Sequence, residues 1–224
     1  MTTRGRVALK VVVWTVALTP LAGLLYGFAT DNLTVNPIEY VTRELGQTTI
    51  RLLLTTLALT PLRLLSGWSW PITLRRLLGL LAFFYAVLHF SVWIVLDHFF
   101  DWRTMGDDIV KRPWITVGLT ALVLLIPLAA TSTTGMIKRL GGRAWRRLHR
   151  LIYAAAVLGC LHYIWLAKKV LVQPWIYAAI LAVLLGIRAW DAGRKLSQRW
   201  SPGVRAQRER GGVGGGPAGP FLPQ

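Results

Sequence analysis

The side chains in this 224-residue sequence with the widest chemistry near neutral pH are its four histidines, His89, His98, His149 and His162. A neutral imidazole carries one N–H and one lone pair, so it ligates metals, moves protons or ties helices together. His89 and His162 lie deep in apolar sequence. His149 stands in the basic run Trp-Arg-Arg-Leu-His-Arg, and His98 follows Asp97. Carboxylates are scarce, with nine Asp and Glu in the chain and none within a long apolar run. The carboxylate relays of proton-coupled transporters therefore have no members here. A single cysteine, Cys160, rules out an internal disulfide framework and a Cys-based zinc site, and reads as a small packing residue.

The elements that must position these imidazoles are set by composition. Hydrophobic residues make up 54% of the chain, charged residues 16%, and mean hydropathy is +0.49. A hydrocarbon core of about 30 Å takes about 20 apolar residues per helix. Five runs meet that measure: Val11–Thr30, Leu77–Leu96, Trp114–Ile137, Leu151–Ala167 and Val170–Ile187. A sixth, Thr48–Leu65, carries Arg51 and Arg63 near its ends, where long side chains reach the headgroups. The expectation is an all-α polytopic membrane protein, a bundle of six transmembrane helices over residues 1–195. The remainder, 196–224, is basic and rich in Gly and Pro and reads as a disordered cytoplasmic tail. Its Gly-Gly-Val-Gly-Gly-Gly is no dinucleotide fingerprint, because no strand precedes it. The first run has basic residues before it but no A-x-A site after it, and reads as an uncleaved anchor.

Charge gives the orientation. Of the 26 Lys and Arg, nineteen fall in segments on the N-terminal side of the membrane and seven on the other, which also holds seven of the nine acids. Positive segments stay cytoplasmic, so both termini are expected there. A pI near 11.3 would suggest nucleic acid in a soluble protein. Here the bases cluster at span ends, where anionic membrane lipid is the expected partner and nucleic acid is not. Tryptophans such as Trp68, Trp70, Trp114, Trp145 and Trp190 read as interfacial belt, and Pro20, Pro61 and Pro127 mark kinks within spans.

With this topology the third and fifth spans run the same way. His89 lies 13 residues past Arg76, and His162 lies 13 past His149. At 1.5 Å per residue both imidazoles stand about 20 Å in, in the outer half of the bilayer. Two nitrogens at one level complete a haem iron, whereas zinc wants three or four ligands. Cys160-Leu161-His162 lacks the C-x-x-C-H of covalent attachment, so the haem is expected to be b-type, between helices 3 and 5. Two strong axial ligands leave no open position, which makes such a haem an electron carrier. His149, one level below His162, is the candidate ligand of a second haem. Arg76, at that depth on the third span beside Arg75, is suited to a haem propionate. Thirteen residues at about 100° leave two positions about 140° apart, so two haems cannot share one ideal face. The plainer alternatives are a hydrogen bond between helices for His89, a headgroup-level basic patch for His149 and a loop position for His98.

Several stretches together resemble a known family. They are Asn36-Pro37 with Leu-Thr-Pro-Leu-Arg at 59–63, Arg75-Arg76-Leu-Leu-Gly through Phe83-Phe84-Tyr85 to His89, and Thr131-Ser132-Thr133 through Arg139-Leu140-Gly141 and Trp145 to Leu148-His149-Arg150 and His162-Tyr163. They resemble the MsrQ family of haem-binding membrane subunits, within the ferric reductase-like transmembrane superfamily, over about residues 7 to 195. The resemblance implies haem b between the third and fifth spans, on His89 and His162, and a haem role for the position of His149. Larger superfamily members offer two histidines on the third span, whereas here Arg76 stands one level below His89. The resemblance further implies electrons from the membrane quinone pool, an associated FMN, and a soluble periplasmic molybdopterin partner, in a heterodimer, that reduces methionine sulfoxide in damaged proteins.

About 37 residues follow the sixth span, too few for a flavin or nicotinamide domain. Electrons must come from something else, such as a bilayer quinone or an FMN whose phosphate meets the cytoplasmic arginines. The expected function is a haem b electron-transfer subunit, carrying electrons from a cytoplasmic-side donor to a periplasmic methionine sulfoxide reductase subunit without itself transforming the sulfoxide. The rivals are a stand-alone ferric or quinone reductase and a non-redox membrane scaffold.

Overall fold

A computed structural model describes residues 2–167 and 172–199. Each helix starts where the sequence supplies a cap. Thr2 accepts from the Gly5 N–H to begin α1 (Thr3–Ala29). Asn36 accepts from the Glu39 N–H, with Pro37 in the first turn, to begin α2 (Pro37–Ser66). A proline there loses no helical hydrogen bond and has its φ already set. Gly67, at φ 74°, ends α2 in the left-handed region that favours glycine. A 3-10 turn, Trp70–Leu74, leads into α3 (Arg75–Val92), which continues as one wide turn through Asp97. Asp101 caps a short α4 (Trp102–Lys111), and α5 (Pro113–Ala130), α6 (Thr134–Leu148), α7 (Leu151–Leu166) and α8 (Gln173–Arg199) follow.

Five of these helices (α1, α2, α3 with its wide turn, α5 and α8) are long and apolar enough to cross a membrane. The sixth, α7, has 16 residues, about 24 Å at 1.5 Å each, and carries no Asp, Glu, Lys or Arg. The protein is an all-helical membrane bundle. Its surface agrees with that: Val11, Val16, Leu25, Val123, Ile126, Val157 and Val183 are exposed. Apolar exposure on that scale suits hydrocarbon and not water.

Up to Leu184 the helices form one compact unit. Helix α2 packs along α3, α5 along α7, α3 on α5 and α2 on α7, which closes a ring of four with α3 and α7 at opposite corners; α1 lies on α2. The packed faces carry Leu53, Leu57, Leu81, Ala82, Tyr85, Ala155 and Ala156, all essentially buried. The alanines let backbones approach closely, which is how helices hold together where lipid supplies no hydrophobic drive. From Leu185 on, the second unit is described by itself. Within it Asp191 pairs with Lys195, and the Arg194 guanidinium lies 5.1 Å from the centre of the Trp190 ring.

The spans differ from the sequence expectation at their ends. The fourth, expected over Trp114–Ile137, stops at Ala130. Thr131 donates to the Pro127 carbonyl at 2.6 Å and Ser132 to that of Leu128 at 2.6 Å, and Thr133 caps a new helix by accepting from Met136 N–H. Apolar Ile137 belongs instead to amphipathic α6, which turns at Gly141 (φ 74°). Helix α2 starts at Pro37, eleven residues before the expected Thr48, because Glu39, Arg43 and Glu44 interrupt the apolar run without interrupting the helix. Helix α8 runs to Arg199, so positions 196–199 of the expected tail are helical; Val170, Leu171 and residues 200–224 lie outside the described residues.

Tyr85 ties α1 to the ring: fully buried on α3, it donates to the Ala17 carbonyl at 2.6 Å. Replacing Tyr85 by Phe removes this bond while keeping the packing, at a cost of about 1 kcal/mol. Thermal unfolding in detergent is expected to show a melting temperature lower by about 2–4 °C.

Candidate functional site: a facing pair of imidazoles

His89, on α3, approaches α2, and its Nδ1 lies 2.9 Å from the Thr42 carbonyl oxygen. His162, on α7, approaches α5, and its Nδ1 lies 2.7 Å from the Trp114 carbonyl oxygen. A carbonyl can only accept, so each Nδ1 carries the proton and each Nε2 keeps its lone pair. Neither Nε2 enters a hydrogen bond among the described residues. The two rings stand 6.2 Å apart, centre to centre, at 77° to each other.

The two histidines are held by the same device. Four residues after each accepting carbonyl comes a glycine, Gly46 after Thr42 and Gly118 after Trp114. A helical carbonyl points along the axis toward residue i+4, so a side chain reaching that oxygen passes over the i+4 position. A Cβ at Gly46 would lie 3.1 Å from His89 Cε1, and one at Gly118 only 2.7 Å from His162 Nδ1. Glycine is needed at both places because the ring occupies the space a side chain would take. A ring nitrogen donating to a backbone carbonyl while the other is free is the arrangement that orients metal-ligating histidines. Among the described residues no third His, Cys, Asp or Glu joins the pair, so the donor set is two nitrogens. With metal–nitrogen bonds of about 2 Å and about 1.1 Å from nitrogen to ring centre, two imidazoles on opposite sides of one metal have centres roughly 6 Å apart. The observed spacing agrees.

The other expected residues lie elsewhere. His149 caps the end of α6, stacked on Trp145 with ring centres 3.9 Å apart. Its Nε2 is 3.1 Å from the Thr131 hydroxyl, while Trp145 Nε1–H donates to the Thr131 carbonyl at 2.9 Å. Both side chains thus fasten α6 to the end of α5. Burial, and then the positive charge of Arg75, hold the His149 pKa below its usual value, so it is neutral at pH 7. Arg75 is the arginine that acts on it; Arg76 is exposed and forms no ion pair among the described residues. His98 is in a loop, as expected, but its side chain is buried. It meets Asp108 at 3.1 Å through Nε2 and the Trp93 carbonyl at 3.2 Å through Nδ1, and Asp108 also binds Arg112 at 3.2 Å. This brace holds a turn in which Phe99 and Phe100 both adopt positive φ.

Known proteins resemble the chain over most of its length. Residues 45–160 match the ferric reductase like transmembrane component family. The chain is 53% identical over 192 residues to the protein-methionine-sulfoxide reductase heme-binding subunit MsrQ of Herminiimonas arsenicoxydans, covering 85% of this chain and 88% of that one. It is 52% identical over 193 residues to the MsrQ subunit of Ralstonia nicotianae, covering 85% and 89%. With that of Rhodospirillum rubrum it shares 50% over 186 residues, covering 83% and 89%. The chain belongs to the MsrQ family. In this member, the ring-supporting Gly46 and Gly118 and the accepting carbonyls of Thr42 and Trp114 escaped the sequence reading. The available signal was a lone glycine inside each of two helical runs, which costs about 1 kcal/mol relative to Ala and so calls for a packing reason.

The depressed pKa of His149 has a measurable sign. Above pH 6.5 the residue is neutral folded or unfolded; as pH falls below that value the unfolded chain takes up the proton first, and stability drops. Replacing Arg75 by Gln removes part of the cause. The acid-side fall in melting temperature is expected to be smaller in that variant, with the two proteins alike at pH 8.

Proposed function

We propose that this chain is the haem-holding electron-transfer subunit of a protein-methionine-sulfoxide reductase system. The observation that carries this is the pair of free lone pairs on His89 and His162, whose rings are fixed by two backbone carbonyls with centres 6.2 Å apart, close to the spacing of two imidazoles on one iron. The sequence before His162 lacks the C-x-x-C-H of covalent attachment, which supports haem b. Held by two imidazoles, haem supplies reversible one-electron transfer and leaves no coordination position for substrate. The chain's own residues do the rest. Thr42 and Trp114 set the tautomers, and their hydrogen bonds raise the basicity of the ligating nitrogens. Gly46 and Gly118 admit the rings, and the apolar ring of helices around them keeps water away and the dielectric low.

In this reading the α4 end of the bundle faces the periplasm and the basic α6 end the cytoplasm of a bacterial inner membrane. Electrons come from quinol in the bilayer and leave at the α4 end to a soluble molybdopterin subunit, which reduces methionine sulfoxide in oxidised proteins. At the α6 end, His149 Nδ1 has no hydrogen bond among the described residues, and His149 is the proposed ligand of a second haem. Arg75, whose charge acts on His149, and its sequence neighbour Arg76 suit the acidic group of a cofactor there, a haem propionate or the phosphate of FMN.

Absorbance of the purified protein tests the central point. The wild type is expected to show a Soret band and sharp reduced bands of a six-coordinate haem. His89→Ala and His162→Ala should each lose those of the paired site, and a colourless wild type or unchanged variants would overturn the assignment. Gly118→Ala should weaken haem retention by about 10–100-fold, the scale of losing an oriented ligand. Gly46→Ala, with the looser contact, should weaken it less.

A further inference from the structure

Beside the imidazole pair lies a polar cluster that the haem reading does not use. Glu44, Gln47 and Arg51 share one face of α2, at i, i+3 and i+7. Arg51 donates from Nη2 to Gln47 Oε1 at 2.7 Å and from Nε to the Tyr177 hydroxyl of α8 at 3.0 Å, and its Nη1 lies 3.4 Å from Glu44 Oε1. Gln47 donates to the Tyr163 hydroxyl of α7 at 3.2 Å, and Tyr163 donates in turn to Gln173 Oε1 of α8 at 3.3 Å. The Tyr163 and Tyr177 rings stack with centres 6.0 Å apart at 29°. Six polar side chains from three membrane helices thus meet on a partly exposed side of the bundle, near the last turn of α7 and the first turns of α8.

Their capacity is not used up. Tyr177 accepts from Arg51, but its own O–H has no acceptor among the described residues, and the amide N–H groups of Gln173 have none either. The Arg51 side chain is 46% exposed and that of Glu44 27%. The cluster is a poor anion site: Glu44 offsets the charge of Arg51, and all three guanidinium nitrogens already have partners. A phosphate headgroup or a haem propionate is therefore disfavoured. What fits is a neutral, flat, bilayer-soluble molecule with oxygens on both edges, which takes donors from Tyr177 and Gln173, offers protons to Glu44 and lies against the tyrosine pair. A lipophilic hydroquinone has that description.

Sequence neighbours place the cluster next to the electron site. Gln47 follows Gly46, which touches the His89 ring, and Tyr163 follows His162. We infer that Glu44, Gln47, Arg51, Tyr163, Gln173 and Tyr177 form the binding site for the electron-donating quinol, on the bilayer-facing side of α2, α7 and α8. The inference rests on the proposed function for its electron acceptor. Oxidising one hydroquinone to quinone breaks two O–H bonds and releases two electrons and two protons. The electrons would leave one at a time to a haem held by His89 and His162, and the protons would pass by way of Glu44 to the aqueous boundary. Two electrons and two protons delivered to a sulfoxide break its S=O bond and give a thioether and water, so the sums agree. The donor then binds at the α4 end, not at the arginine-rich α6 end expected from the sequence.

The test uses the full-length, haem-loaded chain in nanodiscs, with decylubiquinol as reductant and decylubiquinone as the equilibrium ligand. Tyr177→Phe removes one hydroxyl, and Gln47→Leu removes the bridge between Arg51 and Tyr163. Both are expected to keep their haem content and dithionite-reduced spectrum. Each should raise the KM for decylubiquinol and the Kd for decylubiquinone about tenfold, the scale of one ligand hydrogen bond. Failure of the wild type to be reduced by decylubiquinol would remove the quinol-donor reading, and this site with it. Reduction of both variants with unchanged KM and Kd would remove the site alone. Loss of haem from both would show the cluster to be a support for the imidazoles, and would likewise overturn the inference.

Discussion

A lone pair in hydrocarbon does work only if something else holds the ring that carries it, and in this protein that holder is a helix carbonyl with a glycine one turn further on. Thr42 with Gly46 and Trp114 with Gly118 are two copies of one contact. Each uses the second lone pair of an oxygen already bonded within its own helix, so neither helix gives up a backbone bond. The cost is a glycine inside each helix. The gain is a fixed tautomer, a fixed ring direction and a short distance between helix axes.

The packing of the bundle follows from that contact. Each copy joins a pair, α2 to α3 and α5 to α7, and these are the two most intimate pairings in the molecule. The lighter contacts, α3 on α5 and α2 on α7, then set the pairs against each other, which puts the histidine-bearing helices α3 and α7 at opposite corners. A flat cofactor between opposite corners of a four-helix ring is enclosed on all sides by helix. Alanines at 82, 155 and 156 keep the ring narrow.

Much of this was legible in the sequence because the membrane imposes strong rules. Length and hydropathy gave six helices, and equal offsets from Arg76 and His149 put His89 and His162 at one level; the structure brings those two together. The rules end where the hydrocarbon does. Thr131, Ser132 and Thr133 are all tolerated within an apolar run by composition, yet their hydroxyls fold back on the preceding carbonyls and end α5. The surroundings of His149, one level below His162, were not legible: its Nε2 meets Thr131 and its ring stacks on Trp145, contacts made by α6 after its turn at Gly141. The carbonyl and glycine partners were hidden for a different reason. A backbone acceptor leaves no trace in residue type, and a lone glycine reports that something comes close without saying what.

The two ends of the bundle differ in how they handle charge, and the difference bears on what each can meet. At the α4 end charges are mostly paired or braced, Arg43 with Glu39, Lys111 with Asp107, and Asp108 between His98 and Arg112. Exposed pairs of this kind add little stability, but they leave that end close to neutral, with short-range and specific contacts. At the other end, α6 and the turn after it carry Lys138, Arg139, Arg143, Arg146, Arg147 and Arg150 with no acidic residue among them. Such a field attracts anionic headgroups over roughly a Debye length and holds the end against the membrane surface. A near-neutral end can receive and release a soluble partner without being trapped by it, while the basic end anchors the molecule. The imidazole pair lies toward the near-neutral end, since His162 meets the second residue of α5 and His89 the first turns of α2. The imidazole pair and the strongly basic end are therefore separated along the axis of one bundle.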